Sequence, residues 1–244
     1  MQKSLDPINV QVHRAVTHIT GSTGMGIVRA IVAGERDPSR LAMHRDRRAP
    51  GAEEVLYANS GLLVRDTRGD QQTVTLSDGQ TLTVELGTVP SPIEVAPWQL
   101  EVDEISPNGH TAHNIDLPAL SDWRDIAELR DAVGRADYSA TVDVSESWLT
   151  SERDVLLDVG GVAGAMQLSV NGALVTRQTT PGGKWSVQKL LKPGSNEIAV
   201  RLDTSLLNRM AQLSAASGSP MSSAPSGLLG PVRLIPAAVK KVGL

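Results

Sequence analysis

The chain has 244 residues, 40% hydrophobic and only 2% aromatic, with no Phe. Its core must come from Val, Leu, Ile, Ala and Met, and a site built on stacked rings has few side chains to draw on. There is no Cys, which excludes disulfides, thiolate metal sites and Cys nucleophiles.

Net charge is −4, unevenly spread: residues 1–48 hold eight Lys/Arg against four Asp/Glu, and the rest hold 15 against 23. Such a sign change points to two origins or two functions. No stretch approaches the ~18 consecutive apolar residues of a bilayer span, so no membrane partner is expected. MQKSLDPINVQVHRAV is too polar for the apolar segment of a secretory leader. The expected location is the cytoplasm.

In chain order, GMGIVRAIVA (24–33) puts Ile27, Val28, Ile31 and Val32 on one face and predicts a helix, with Gly34 as its C-terminal cap. Asp37-Pro38 opens a second helix through Leu41, Ala42 and His44, and Arg45, Arg47 and Arg48 complement its C-terminal dipole. Gly21 and Gly24 precede the first helix in ITGSTGMG. There they can offer unpaired backbone N–H groups to an anion, and Arg14, Arg29, Arg40, Arg45, Arg47 and Arg48 would suit a nucleic-acid phosphate. An ordinary turn flanked by solvated arginines explains the same residues. GSTGMG lacks the Lys-Ser/Thr ending of a P-loop and follows no strand, which argues against nucleotide binding.

The run GMGIVRAIVAGERDP, within residues 1–48, resembles a central piece of the insertion-sequence transposases that combine a DEDD nuclease domain with a serine domain. In that family the catalytic carboxylates lie upstream of this piece and the nucleophilic serine lies downstream. The resemblance therefore implies a helical fragment over residues 1–50 with at most a nucleic-acid partner, and no transposition activity.

From Tyr57 the pattern is β. TVTLSDGQTLTVEL (73–86) alternates around Asp78-Gly79 and predicts a hairpin; residues 98–105 and 111–117 read as further strands. In 121–134, Ser121 and Asp122 can cap while Ile126, Leu129 and Val133 recur at helical spacing, giving either a short helix or an irregular crossing. Strands follow over 138–144, 154–162, 165–175 and 196–203, with Asn171-Gly172 as a tight turn and Lys192-Pro193-Gly194-Ser195 as a longer one. Residues 206–213 suit two helical turns, 214–226 a loop, and GLLGPVRLIP the last strand. Short, regularly spaced strands of this kind predict an antiparallel sandwich or jelly roll.

The order of elements resembles the galactose-binding-like β-sandwich of glycoside hydrolases, of the family two β-glycosidase and α-L-rhamnosidase type. The residues that carry it are Tyr138-Ser139-Ala140-Thr141, Trp148, Leu157-Asp158-Val159-Gly160-Gly161-Val162 and Val170-Asn171-Gly172. After them come Leu190, Pro193-Gly194-Ser195-Asn196, Leu207-Asn208-Arg209 and Gly227-Leu228-Leu229-Gly230-Pro231-Val232. The resemblance implies a mainly β fold with a short helical N-terminal extension, a sandwich over 57–240 and a best-matched core at 136–236. In such hydrolases the paired carboxylates sit in another domain. The expectation is thus a non-catalytic module in a hybrid or truncated chain, with no catalytic residues and no cofactor, and with carbohydrate or a hydrolase catalytic domain as partner. The parent hydrolase is compatible with secretion.

Candidate chemistry is sparse. A sugar site would draw on Trp148 and Trp185 as platforms, with Asn171, Lys184, Asn208 and Arg209 as polar contacts; alternatively, both tryptophans plug the core. His110 and His113 in HTAH face opposite sides of a strand, and no third ligand is evident, so no metal site is expected. The acidic residues Asp116, Asp122, Asp125, Glu128 and Asp131 lack calcium-loop spacing and suit a solvated face. No G-x-S-x-G elbow supports a hydrolase triad.

Overall fold

A computed structural model of the protein describes residues 54–58, 61–75, 81–178, 183–216, 218 and 221–243. The helices expected within residues 24–44 lie outside these residues, as do Gly21, Gly24, Arg29, Arg40, Arg45, Arg47, Arg48 and the Asp78-Gly79 turn. The described residues divide into two compact units: those within 54–64, 72–84 and 242–243 belong to one, and those within 65–71 and 85–241 to the other. Among the described residues no helix is long and apolar enough to cross a membrane.

The first unit contains most of four strands: β1 (Glu54–Ala58) beside β2 (Gly61–Asp66), and β3 (Asp70–Thr75) paired with β4 (Thr81–Gly87). The β3–β4 pair is the hairpin that the alternation over 73–86 predicts. Among the described residues of this unit, Leu62 and Val64 on β2, Val74 on β3 and Val84 on β4 are the buried apolar side chains.

The second unit is an antiparallel sandwich. Its strands are β5 (Ile93–Glu94), β6 (Trp98–Ser106), β7 (Gly109–Leu117), β8 (Gly134–Val144), β9 (Arg153–Asp158), β10 (Gly161–Ala163), β11 (Ala165–Val170), β12 (Ala173–Gln178), β13 (Lys184–Ser186), β14 (Gly194–Asp203), β15 (Gly227–Gly230) and β16 (Arg233–Val242). One sheet runs β12-β11-β14-β8-β6-β7, and the other places β9 between β16 and β13, with β5 also on β16. β10 pairs with β15 as a separate ribbon.

Alternation decides which faces meet. β8 buries Ala136, Tyr138, Ala140, Val142 and Val144, β14 buries Asn196, Ile198, Val200 and Leu202, and β6 buries Trp98, Leu100 and Val102. β9 differs: Asp154, Val155, Leu156 and Leu157 are all buried, the continuous pattern of a strand covered on both faces. The core contains three tryptophans, with Trp98 edge-on to Tyr138 at a 6.5 Å centroid separation.

Residues 121–134 form the irregular crossing rather than an α-helix. A 3-10 turn spans Trp123–Asp125, and further i to i+3 bonds run from Leu129 N to Ile126 O and from Ala132 N to Leu129 O. The reason is that Trp123 and Leu129 must both enter the core, while Trp123 N–H is spent on Ser226 O and Ile126 turns extended. The single α-helix among the described residues, α1 (Leu207–Ala216), matches the turns expected at 206–213.

Asp122 fastens this crossing to Ser226, the residue before β15. Its carboxylate accepts from Arg124 N (3.0 Å), the Arg124 guanidinium (2.7 and 3.0 Å) and Ser226 N (3.2 Å). Burial is the largest single influence on its pKa and raises it, but the Arg124 and Ser226 hydrogen bonds together prevail and hold it below the usual carboxylate range. The stabilisation is therefore present above the unfolded-state pKa and is lost as pH falls through the lowered folded-state value. Asp122→Asn is expected to cost about 1–3 kcal/mol at neutral pH. Urea midpoints of the two proteins, measured from pH 7 to pH 2, should converge at the acid end; a pH-independent gap would mean that the charge plays no part.

Candidate functional site

Turn chemistry determines what Asn171 does. It sits between β11 and β12 at φ 50°, where Asn is tolerated and Gly172 follows. Its side-chain amide donates to Leu190 O and Asn196 Oδ1, both at 2.8 Å, and its Oδ1 accepts from Glu197 N at 3.0 Å. Asn196, 1% exposed, completes the knot: its Oδ1 accepts from Lys192 N, and its Nδ2 donates to Lys192 O and Gly194 O. The Asn171 amide thus ties two turns together.

Trp148 closes a 3-10 turn, Glu146–Trp148, capped by Ser145. It is 5% exposed and belongs to the core, so its ring presents no platform. Trp185 on β13 is half-buried against that core, and a Cβ on Gly183 would come within 2.7 Å of its benzo edge. Lys184 lies opposite Asp158 on β9, with Nζ 3.9 Å from Asp158 Oδ2; both side chains are partly solvated. At that distance and exposure the pair contributes little to stability. Lys184 and Trp185 are consecutive in β13, so the lysine points to the face of the strand opposite the ring that packs against the core.

Asn208 and Arg209 belong to α1. Asn208 is buried, and its amide exchanges a pair of hydrogen bonds with the backbone of Ala224, at 2.9 and 2.8 Å, pinning the following loop. Arg209 pairs with Glu104 Oε1, while His113 Nε2 hydrogen-bonds Glu104 Oε2 at 2.9 Å. One half-buried carboxylate thereby joins β6, β7 and α1. His110, on the other face of β7, hydrogen-bonds Asp103 at 2.8 Å. The two histidines serve separate carboxylates, as their opposite directions predict.

Register separates the six residues. Asn171 bonds Asn196, which stands opposite Val142 on β8, whereas the partner of Arg209, Glu104, stands opposite Gly134. At ~3.3 Å per residue those rows are about 25 Å apart along β8. Trp148 lies past the Val142 end, and Lys184 and Trp185 are on the other sheet. They are distributed over both ends and both layers of the sandwich.

Glu104 was not singled out in the sequence, although it gathers two of the polar residues that were. Its partners are 9 and 105 residues away, beyond any local pattern. Among the described residues no group of three or more His, Asp or Glu is placed to hold a metal ion.

No protein-family model matches this chain, and no curated protein sequence does. Solved structures with a similar course include glycoside hydrolases. A rhamnosidase from Novosphingobium sp. PP1Y has a TM-score of 0.49 and 19% identity, over 75% of this chain and 23% of that one. An FMN-binding β-glucuronidase from Facaelibacterium prausnitzii L2-6 gives 0.40 and 20%, over 60% and 22%. A β-glucuronidase from an uncultured Clostridium sp. gives 0.41 and 15%, over 77% and 31%. This chain spans less than a third of the length of each.

Proposed function

We propose that the sandwich is a non-catalytic module of a glycoside hydrolase whose main role is to support a catalytic domain, with carbohydrate binding secondary. The resemblance carried by the ordered elements from Tyr138 to Val232 supplies the parent class. The observation that favours support over sugar binding is the fate of the polar candidates. Asn171 and Asn208 spend their amides inside the fold, Arg209 is paired, and Trp148 is buried. A sugar site needs planar polar groups that remain open beside an aromatic face. Among these candidates Trp185, half-buried on β13, is the ring with an exposed part to offer.

The full chain is expected to show no turnover on aryl rhamnosides, galactosides or glucuronides. In affinity electrophoresis on soluble polysaccharides it should show no retardation, or only weak retardation with a Kd above about 1 mM that salt does not change. Real turnover sinks the non-catalytic reading. Tight, salt-insensitive retardation abolished by Trp185→Ala would make the module a carbohydrate binder instead. Affinity for DNA that falls steeply with salt, and is lost on deleting residues 1–48, would move the function to the basic N-terminal segment.

A further inference from the structure

The dipeptide Asn-Gly occurs twice in the sequence, and the fold treats the two copies differently. Asn108-Gly109 joins β6 to β7, and Asn171-Gly172 joins β11 to β12. Asparagine is thermally labile, and before glycine the next backbone nitrogen is unshielded, because glycine has no Cβ. Both glycines have positive φ, 116° and 76°, and a Cβ at either would meet nothing within 4 Å. Both asparagines are exposed. Solvent and glycine are thus alike at the two turns, and the asparagine side chain is what differs.

Asn171 is held. Its amide nitrogen donates to Leu190 O and Asn196 Oδ1, and its Oδ1 accepts from Glu197 N. All three bonds must break before this side chain can turn back on its own main chain. Asn108 is not held. Ser106 Oγ accepts from Asn108 N at 3.2 Å and donates to Gly109 O at 3.1 Å, which sets the main chain of the turn. Among the described residues the Asn108 side-chain amide has no hydrogen-bond partner. It is free to sample the approach that an intramolecular attack needs, roughly 3–3.5 Å between the reacting atoms.

We propose that Asn108 is a site of spontaneous deamidation, a covalent modification that the fold suppresses at Asn171. The Gly109 nitrogen gives its proton to solvent and attacks Asn108 Cγ. The new C–N bond closes a succinimide ring as the Cγ–Nδ2 bond breaks, and the departing nitrogen takes up a proton from solvent and leaves as ammonia. Water then opens the ring at either carbonyl. One opening gives aspartate on an unchanged main chain. The other gives isoaspartate, with the main chain rerouted through Cβ and Cγ. Nothing is oxidised or reduced. Either product adds one negative charge to a chain of formal net charge −4, and isoaspartate lengthens the turn that Ser106 and Gly109 close.

Peptide mapping by mass spectrometry, on the full chain aged for weeks at mildly alkaline pH, tests this. Aspartate and isoaspartate should accumulate at Asn108 and roughly tenfold or more slowly at Asn171, whose three hydrogen bonds together amount to on the order of a hundredfold. In concentrated urea the two rates should converge, because only the fold separates them. Asn108→Gln should remove the acidic species that isoelectric focusing resolves, since glutamine closes its larger ring far more slowly, and should leave the thermal melt unchanged. A folded chain whose Asn108 stays intact while it reacts in urea overturns the proposal. So does a folded chain that modifies Asn171 as fast as Asn108.

Discussion

Gly160→Ala is expected to destabilise the sandwich by roughly 2–5 kcal/mol, a large part of the 5–15 kcal/mol that holds a typical domain together. Gly160 links β9 to β10 at φ 61° and forms a bridge with Gly230. An added Cβ would lie 2.5 Å from both C and O of Gly230 and 2.6 Å from Pro231 O. All three are backbone atoms in a sheet crossing and have no side-chain freedom with which to retreat. Two costs combine: about 1–2 kcal/mol for a left-handed alanine, and a further 1–3 kcal/mol or more for overpacking. Gly172→Ala separates them, since Gly172 also has a positive φ (76°) but nothing within 4 Å of the new Cβ. Urea midpoints should place Gly172→Ala within about 1–2 kcal/mol of wild type and Gly160→Ala well below it. Equal losses in the two variants would mean that the β10–β15 crossing is not a close one.

Tyr138→Phe removes one oxygen that satisfies two buried donors. Trp123 Nε1 donates to the Tyr138 hydroxyl at 2.7 Å and Leu228 N donates to it at 3.1 Å. Tyr138 and Trp123 are 1% and 0% exposed, so no water replaces the oxygen. Phenylalanine keeps the ring and its edge contact with Trp98, and each orphaned N–H costs about 1–3 kcal/mol, or about 2–6 kcal/mol for the pair. Burial, the largest influence, pushes the phenol pKa up, against the smaller lowering effect of the Leu228 and Trp123 hydrogen bonds. The neutral phenol's contribution is therefore complete below the unfolded-state value of about 10 and is lost as pH rises through the raised folded-state value. Stability curves of the two proteins should lie apart at pH 7 and approach each other above about pH 10. Parallel curves would show that the hydroxyl does not titrate out of the fold.

The strands of the second unit are legible because each needs only local information. YSATVDV and NEIAVRLD alternate, and the structure buries every second residue of each. Asn171-Gly172 announces its turn for the same reason. β13 was not legible: three residues are too few to show a period, and their pairing with Leu156–Asp158 is a long-range fact. Helical spacing at Ile126, Leu129 and Val133 misled in part, because runs of i to i+3 bonds bring the same side chains inward. Whether a tryptophan plugs or displays its ring depends on what arrives from elsewhere, and the sequence around Trp148 and Trp185 does not contain it. Asn171 and Asn208 looked available for a ligand since their partners lie 16 to 26 residues away.

The outer strands of the two sheets are unequal in a way that bears on aggregation. β13 ends its sheet with three residues, beginning at a solvated lysine, and so offers almost no ladder to a passing strand. β7, one of the two outer strands of the other sheet (β12 is the second), has nine residues, but His110, His113 and Asp116 interrupt any apolar register along it. β13 and β7 both discourage strand-on-strand growth. Amyloid-type assembly through either of these two edges should consequently require that the sheet first come apart.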